Sequence, residues 1–311
     1  MAQATSAPEQ VSARAARSAL PGESTWQDSL RRRRILFQRF LKVRGAAVGL
    51  GVLLLVIFLA AAAPVLAPHN PNYQDLLSVL QAPSAVHPFG TDDLGRDVLS
   101  RVIYGSRVSL QVGLISIGVA LFGGITIGLI AGYFGGRVDD VLMRIMDAIS
   151  AFPSLVLALA ITAALGAGIG NAMIAIGVVY TPLFARLVRS QALTIRELDY
   201  CLAARTIGAG PLRMMAKHIW PNATAPIIVQ ASLSVSSAII VEASLSFLGV
   251  GILPPTASWG SILSQGYNVL EIAPWMAVAS GSAIFITVLG LNFLGDGLRT
   301  ALDPRMSRRG D

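Results

Sequence analysis

The stretch AAVGLGVLLLVIFLAAAAPVLA, residues 46–67, decides the class of fold. It contains no charged side chain, and it directly follows a basic run that ends at Arg44. A helix needs about 20 mainly apolar residues to cross the hydrocarbon core of a bilayer. The stretch therefore predicts a membrane-spanning helix.

Five more apolar segments of similar length follow this one. They lie at residues 108–134, 141–165, 171–188, 226–248 and 274–294. Hydrophobic residues make up 54% of the chain and charged residues only 13%, whereas soluble domains carry about 25% charged residues. The apolar residues form long runs, which argues against a large soluble core. The sequence predicts an all-α integral membrane protein with six transmembrane helices.

The positive charge is distributed by membrane side. The net charge is +7, but the basic residues form no single patch with interleaved aromatic residues, so nucleic acid is not an expected partner. Of the 24 Lys and Arg residues, 21 fall on the same side of the predicted spans as the N-terminus and 3 on the other. The positive-inside rule then places both termini in the cytoplasm.

This topology divides the chain into four parts. Residues 1–45 form a cytoplasmic tail that is expected to be disordered and then basic, and its basic end sets the topology or attracts anionic lipid. Residues 46–106 contain the first transmembrane helix and an extracytoplasmic segment. Residues 107–299 form the transmembrane core, with a cytoplasmic loop at 189–225, and residues 300–311 form a cytoplasmic tail.

The extracytoplasmic segment ends in a predicted helix start. Thr91 or Asp93 is a suitable cap, and Asp97 and Arg101, four residues apart, are spaced to pair on one helix face. We expect a short helix along the membrane surface. Contact with a delivery protein outside is the alternative.

Two of the spans contain ionisable residues. Asp147 lies one helical turn beyond Arg144. It is expected to form an ion pair with Arg144 at the membrane interface; the alternative is that Asp147 lines a translocation path. Pro153 is expected to bend the third span. In the fifth span Glu242 must find a partner or water, because a carboxylate is costly at membrane depth.

The fifth span also carries a polar face. Gln230, Ser234 and Ser237 share one side of the helix, and Glu242 lies about 120° round from Gln230 by the 3.6-residue period. Such a face either holds neighbouring helices together or lines a wet path. The sequence leaves both interpretations open.

The loop at 189–225 is too long for a simple turn. It predicts two short helices within residues 195–216, separated by a break at Gly208-Ala209-Gly210-Pro211, with Arg on one side and Leu, Ile or Met on the other. This pattern suits docking to another protein. A helix pair lying on the lipid surface is the alternative.

The sequence predicts no catalytic residue and no bound cofactor. A phosphate-binding loop needs a lysine in a glycine-rich context, and neither Lys42 nor Lys217 has one. The three histidines, His69, His87 and His218, lie far apart in the chain, so no metal site is expected. A single cysteine, Cys201, excludes an internal disulfide framework.

Several blocks resemble one transporter family. YCLAARTIGA (200–209), followed by HIWPN (218–222), resembles the "EAA" motif of ATP-binding-cassette importer permeases. The remaining blocks resemble the second permease subunit of dipeptide, oligopeptide and nickel importers: HPFGTDDLGRDVLSR (87–101), GYFGG (132–136), EASLSFLG (242–249), PPT (254–256) with SWG (258–260), and GDGLR (295–299) with LDPR (302–305). The likeness covers about residues 30–306.

The resemblance implies the MetI-like fold of type I importer permeases. It also implies a coupling helix that sits in a groove of an ATPase subunit, with a turn at Gly208, a smooth surface at Ala203 and Ala204, and Arg205 and Arg213 at the rim. The coupling residues it assigns are Leu202, Ala203, Ala204, Arg205, Gly208 and Ala209. Leu202 stands where the motif has glutamate, so docking by shape is expected without that salt bridge, and Trp220 replaces the usual leucine.

The implied function is that of a non-catalytic permease subunit in the bacterial cytoplasmic membrane. Its implied partners are a homologous permease, two ATPase subunits that use ATP and Mg²⁺, an extracytoplasmic substrate-binding protein and membrane lipid. An ion-gradient-driven secondary transporter with Asp147 or Glu242 as its ion site is the alternative, and a membrane scaffold is a third. Dipeptides, oligopeptides, glutathione-like molecules and nickel chelates are not distinguished.

Overall fold

The computed structural model describes residue 40 and residues 43–302, and these residues form an all-helical assembly. The predicted N-terminal tail before residue 40 and the end of the C-terminal tail lie outside the described residues. The helices are α1 (Arg44–Ala61), α2 (Ala63–Leu66), α3 (Val98–Phe134), α4 (Gly136–Ser150), α5 (Ser154–Leu165), α6 (Ile169–Ile195), α7 (Asp199–Thr206), α8 (Pro211–Phe247), α9 (Trp259–Asn268) and α10 (Pro274–Leu302).

Four helices are long and apolar enough to cross a membrane, namely α3, α6, α8 and α10. The pair α4 and α5 meets the same criterion as one unit, although it bends by 90° between the two helices. Pro153 directly precedes α5, so the predicted bend is present at the predicted place. The apolar helix near the N-terminus, at Gly45–Ala61, is shorter than the others.

Two helices extend well beyond their predicted spans. α3 begins at Val98 rather than at residue 108, and its 37 residues correspond to about 55 Å at 1.5 Å per residue. α8 begins at Pro211 rather than at residue 226, and it contains a π-helical turn at Met214–Ile219. The second helix predicted in the 189–225 loop is therefore the first part of α8. Both helices are longer than the roughly 30 Å of hydrocarbon that a span must cross.

The packing of α3 against α6 forms the centre of the fold. Gly124, Gly128 and Gly132 repeat every fourth residue along α3 and face α6; a Cβ atom on Gly128 would lie 2.5 Å from the carbonyl oxygen of Ala185. Small residues at this spacing let two helix backbones approach closely.

The same glycines define the direction of the pair. Gly124 lies against Phe184, Gly128 against Ala185 and Val188, and Gly132 against Ala192. Later residues of α3 thus meet later residues of α6, so the two helices run parallel. The bent pair α4–α5 consequently leads from the end of α3 back to the level at which α6 starts.

Buried ion pairs hold the segment between α2 and α3. Arg96 and Arg101 are each only 1% exposed, and their Nε atoms lie 2.6 Å and 3.4 Å from Oδ2 of Asp92. Arg101 also donates to the carbonyl of Pro71 at 3.1 Å. The predicted Asp97–Arg101 pair is wrong in this respect, because Asp92 is the partner of Arg101.

The predicted short surface helix is also replaced by a different arrangement. Asp97, rather than Thr91 or Asp93, caps α3, and its side chain accepts a hydrogen bond from the Ser100 amide. The helix that begins there continues without a break to Phe134. The Asp97 carboxylate is occupied by this cap, which explains why it does not pair with Arg101.

Candidate functional site

The helix α7 has one face buried against the protein and one face exposed. Cys201 and Ala204 are buried in the main hydrophobic cluster, whereas Leu202, Ala203 and Arg205 are exposed. The spacing of three residues between Cys201 and Ala204 places both on the inner face of a helix. Ala204 therefore anchors α7, and the smooth outer surface expected at Ala203 and Ala204 is provided by Ala203.

The end of α7 is fixed by a Schellman motif around Gly208. The Gly208 amide donates to the carbonyl of Arg205 at 2.9 Å, and the Ala209 amide donates to that of Ala204 at 3.0 Å. These two bonds satisfy carbonyls that a helix end would otherwise leave free. Gly208 has a φ of +86°, a left-handed conformation that favours glycine. The predicted turn is present at the predicted residue.

Two arginines attach α7 to the end of α3. Arg196 donates to the carbonyls of Gly132 at 2.8 Å and of Tyr133 at 3.3 Å. The guanidinium of Arg205 lies over the ring of Tyr133, 5.5 Å from its centroid, which is within the range of a cation–π interaction. The GYFGG block at 132–136 thus helps to position α7.

A third arginine connects the same region to α4. Arg189 of α6 forms a bidentate pair with Asp139 of α4, with both nitrogen–oxygen distances at 2.5 Å. Such forked pairs fix orientation as well as adding energy. The roles of Arg189, Arg196, Asp139 and Tyr133 were not predictable from the sequence, because their partners are distant in the chain. The clustering of arginines near the loop was the only signal of their role.

Exposed apolar side chains flank the bend. Leu202 is 44% exposed, Ile207 86% and Leu212 77%. Large apolar side chains grouped at a surface with charged neighbours such as Arg205 and Arg213 are typical of a protein–protein contact. We call the exposed residues Leu202, Ala203, Arg205, Ile207, Leu212 and Arg213 the bend surface.

The polar face of α8 borders a cavity. Gln230 helps to line a cavity of about 590 Å³ together with Asn222 and Arg299. Its Nε2 atom donates to Oγ of Ser234 at 3.3 Å, and Ser234 is buried whereas Ser237 is partly buried. Of the three polar residues on this face, Gln230 is therefore the one that lines the cavity.

Glu242 lies elsewhere, in the interior of the chain. It is fully buried, and its carboxylate accepts hydrogen bonds from Ser246 at 2.9 Å and from Ser109 of α3 at 3.3 Å. A buried carboxylate with such partners joins two helices. These contacts favour the interpretation that Glu242 holds α8 against α3 and does not line a path.

Asp147 lies in a third environment, on an exposed part of α4. Its Oδ1 atom is 3.4 Å from Arg186 of α6, and the same arginine donates to Ser150 at 3.0 Å. The partner is thus Arg186 and not the predicted Arg144. The structure does not bring Asp147 together with Gln230, Ser234, Ser237 or Glu242 into one site.

The histidines expected to be isolated are not all so. His69 and His87 lie side by side, with ring centroids 4.7 Å apart, and both face Asp97. No metal site was expected because the histidines are far apart in the sequence. The fold brings His69 and His87 together, so that reason does not apply to these two residues.

Comparison with known families addresses the function. Residues 124–308 match the family model described as "binding-protein-dependent transport system inner membrane component". Residues 24–83 match the model described as the N-terminal transmembrane domain of oligopeptide transport permease C. The chain belongs to this permease family. It is accordingly a permease subunit of an ABC importer and a multi-pass protein of the inner membrane.

Individual permeases are similar over most of the chain. A dipeptide transport system permease of Alkalihalophilus pseudofirmus is 46% identical over 87% of this chain and 89% of its own length. A di/tripeptide permease of Pseudomonas aeruginosa is 45% identical, over 87% and 91%. A glutathione transport permease of Pectobacterium atrosepticum is 42% identical, over 88% and 91%.

A solved structure shares the permease fold. One chain of the methionine ABC transporter MetNI, in an inward-facing conformation, is similar to this chain with a TM-score of 0.51 and 18% sequence identity. The match covers 65% of this chain and 96% of the MetNI chain. The MetI-like fold implied by the motifs is confirmed. The family match favours the importer permease over the ion-gradient-driven secondary transporter.

Proposed function

We propose that this permease forms half of the translocation path of an ATP-driven importer of di- or oligopeptides. The single observation that carries this proposal is the bend surface, which is apolar, is bordered by Arg205 and Arg213, and is attached to the end of α3 through Arg196 and Arg205. Peptides are proposed as the substrate because several similar permeases are named for dipeptide transport. A glutathione permease is nearly as similar, so the peptide class is proposed and no particular peptide.

The proposed partners follow from the bend surface and from membership of the permease family. Two ATPase subunits bind ATP and Mg²⁺ and receive the bend surfaces of this chain and of a homologous permease in a heterodimer. A substrate-binding protein docks on the opposite face. Nucleotide binding draws the coupling helices together, and the two permeases rock between inward-open and outward-open states. A ligand shifts such an equilibrium only through different contacts in the two states, and the bend surface would provide them.

We further propose six crossings with both ends of the chain on the cytoplasmic side. The direction of the helices supports this count. The start of α1 packs with the end of α10, since Phe40, Ala46 and Ala301 share one cluster. The start of α10 packs with the start of α3 through Met276 and Val98. Successive long elements therefore alternate in direction, with the bent pair α4–α5 counted as one crossing.

The cavity beside Gln230 is the proposed part of the path in this chain. Gln230 would offer hydrogen bonds to a polar solute and Ser234 would hold the Gln230 side chain from behind, whereas Asp147 with Arg186 would lie at the cytoplasmic mouth. Glu242 would hold α8 to α3 behind this face. The proposal rests on the cavity of about 590 Å³ that Gln230 borders.

Cross-linking tests the bend surface. In a Cys201→Ser background, single cysteines at Leu202 or Ile207 should cross-link to cysteines placed along a groove of the ATPase subunit. A cysteine at Ala204 is the matched control, because Ala204 lies on the buried face of the same helix. A scan in which position 204 reacts as well as positions 202 and 207, or in which none of them reacts, would contradict the docking proposal.

A further inference from the structure

Two of the three histidines in the chain face one buried carboxylate. His69 and His87 come from the segment between α2 and α3, and Asp97 is the capping residue of α3. Nδ1 of His87 lies 2.9 Å from Oδ1 of Asp97, and Nδ1 of His69 lies 3.8 Å from the same oxygen. One ligand atom from each residue thus lies within 4.8 Å of the other two, and we call the space between these three atoms the common centre.

The hydrogen bonds in this cluster leave one donor atom without a partner. His87 and Asp97 satisfy each other, but Nδ1 of His69 is buried and has no hydrogen-bond partner among the described residues. A buried polar atom without a partner is energetically unfavourable. A ligand that binds at the common centre would remove this cost.

The carboxylate is held in a fixed orientation. Its second oxygen, Oδ2, accepts hydrogen bonds from the Ser100 amide at 2.8 Å and from the Ser100 hydroxyl at 2.7 Å. The same hydroxyl accepts a hydrogen bond from the backbone amide of His69 at 3.1 Å. Ser100 therefore orients both Asp97 and His69, and supporting contacts of this kind are typical of metal ligands.

We propose that His69, His87 and Asp97 bind one divalent transition-metal ion, with Zn²⁺ as the ion to test. Imidazole nitrogen together with a carboxylate oxygen suits zinc and its neighbours, and three protein ligands leave a fourth position for water. Ligands about 2.0–2.2 Å from a tetrahedral ion lie roughly 3.3 Å apart, between the observed 2.9 Å and 3.8 Å.

The hard cations fit less well. Ca²⁺ takes six to eight oxygen ligands, and Mg²⁺ requires near-ideal octahedral oxygen coordination. The cluster offers two imidazoles and one carboxylate oxygen, Oδ1 of Asp97, whose described contacts are to these imidazoles. The ion would join the segment containing His69 and His87 to the first turn of α3, and so stabilise this end of the protein. This site lies at the opposite end of α3 from the bend surface and does not depend on the transport proposal.

Equilibrium dialysis of Zn²⁺ against the assembled complex tests the site. The complex should carry an affinity tag without histidine and be stripped with a chelator first. The wild-type complex should bind one more Zn²⁺ than the His69→Gln or His87→Gln complex, with the affinity of that site reduced at least tenfold in each variant. His218→Gln is the matched control, because His218 is the third histidine and lies in α8. An excess of Ca²⁺ should not displace the ion.

Two results would overturn the proposal. One is a Zn²⁺ stoichiometry that does not change in His69→Gln and His87→Gln. The other is an absence of saturable binding in the wild-type complex. If either variant fails to assemble, X-ray absorption of the wild-type complex at the zinc edge decides. A shell of nitrogen and oxygen with two imidazoles supports the site, whereas sulfur or all-oxygen coordination contradicts it.

Discussion

At the scale of single residues, Gly208 tests how the bend surface is shaped. A Cβ atom there would meet nothing within 4 Å, so a larger side chain has room, but the φ of +86° costs a β-branched residue about 1–2 kcal/mol or more. Gly208→Val should disrupt the Schellman motif and abolish substrate-stimulated ATP hydrolysis by the reconstituted complex, without loss of expression. Gly208→Asn should retain most of it, because asparagine tolerates this conformation. Equal activity of the two variants would contradict the role of the turn.

Substitutions of Glu242 test whether its carboxylate holds helices together or lines the translocation path. Glu242→Gln keeps one oxygen acceptor for Ser246 and places an amide NH2 beside Ser109, whose hydroxyl can accept from it. Assembly and uptake should therefore both be close to wild type. Glu242→Ala leaves these buried hydroxyls without their acceptor, which costs about 1–3 kcal/mol. Thermal unfolding of the purified chain in detergent should show the loss for Ala only. Impaired uptake in a stable Glu242→Gln protein would instead indicate that the carboxylate acts in transport.

At the scale of helices, the α3–α6 contact depends on individual glycines. Gly128→Ala places a Cβ atom 2.5 Å from the Ala185 carbonyl oxygen, and overpacking of this kind costs about 1–3 kcal/mol. We expect a lower midpoint of thermal unfolding and weaker assembly with the partner subunits. Gly118→Ala is the control on the same helix, because a Cβ atom there has no neighbour within 4 Å. An equal lowering in both variants would contradict the close-packing explanation, because alanine has the higher helix propensity and should on that ground raise stability in both.

The helices also show what hydropathy could and could not predict. The apolar runs located every long helix, because apolar length is what a bilayer selects. They underestimated α3 and α8, since the added turns contain charged residues such as Arg101 and Arg213 that lie beyond the apolar core. The apolar part of a span ends at the edge of the membrane, whereas the helix itself continues as long as its backbone hydrogen bonds and its packing are maintained.

The candidate sites also differ in how much of each could be predicted from the sequence. The bend, the Gly208 turn and the exposed Leu202 were predictable, because each depends on neighbours in sequence. The arginine contacts to Gly132 and Tyr133 and the convergence of His69 and His87 on Asp97 were not, because they join residues that only the fold brings together. Ala204 was misplaced on the outer surface, since the motif does not indicate which face of a short helix is buried.

At the scale of the whole molecule, the bent pair α4–α5 decides the topology. Between Leu77 and Ile207 the chain passes through α3, α4–α5 and α6. If the bent pair crosses the membrane, the number of crossings is three and the two residues lie on opposite sides. If it is a re-entrant loop, the number is two and they lie on the same side. The parallel packing of α3 and α6 requires the pair to return along the bundle, so we predict opposite sides.

Labelling with a membrane-impermeant maleimide measures this directly. Leu77 and Ile207 are 94% and 86% exposed, so cysteines there, in a Cys201→Ser background, should be reactive from the solvent. On intact spheroplasts the cysteine at 77 should react and that at 207 should not, and inverted vesicles should give the reverse. Permeabilised membranes, in which both must react, control for accessibility. Labelling of both positions from one side would make α4–α5 a re-entrant loop. If that side is the outside, the bend surface does not face the compartment where ATP is hydrolysed.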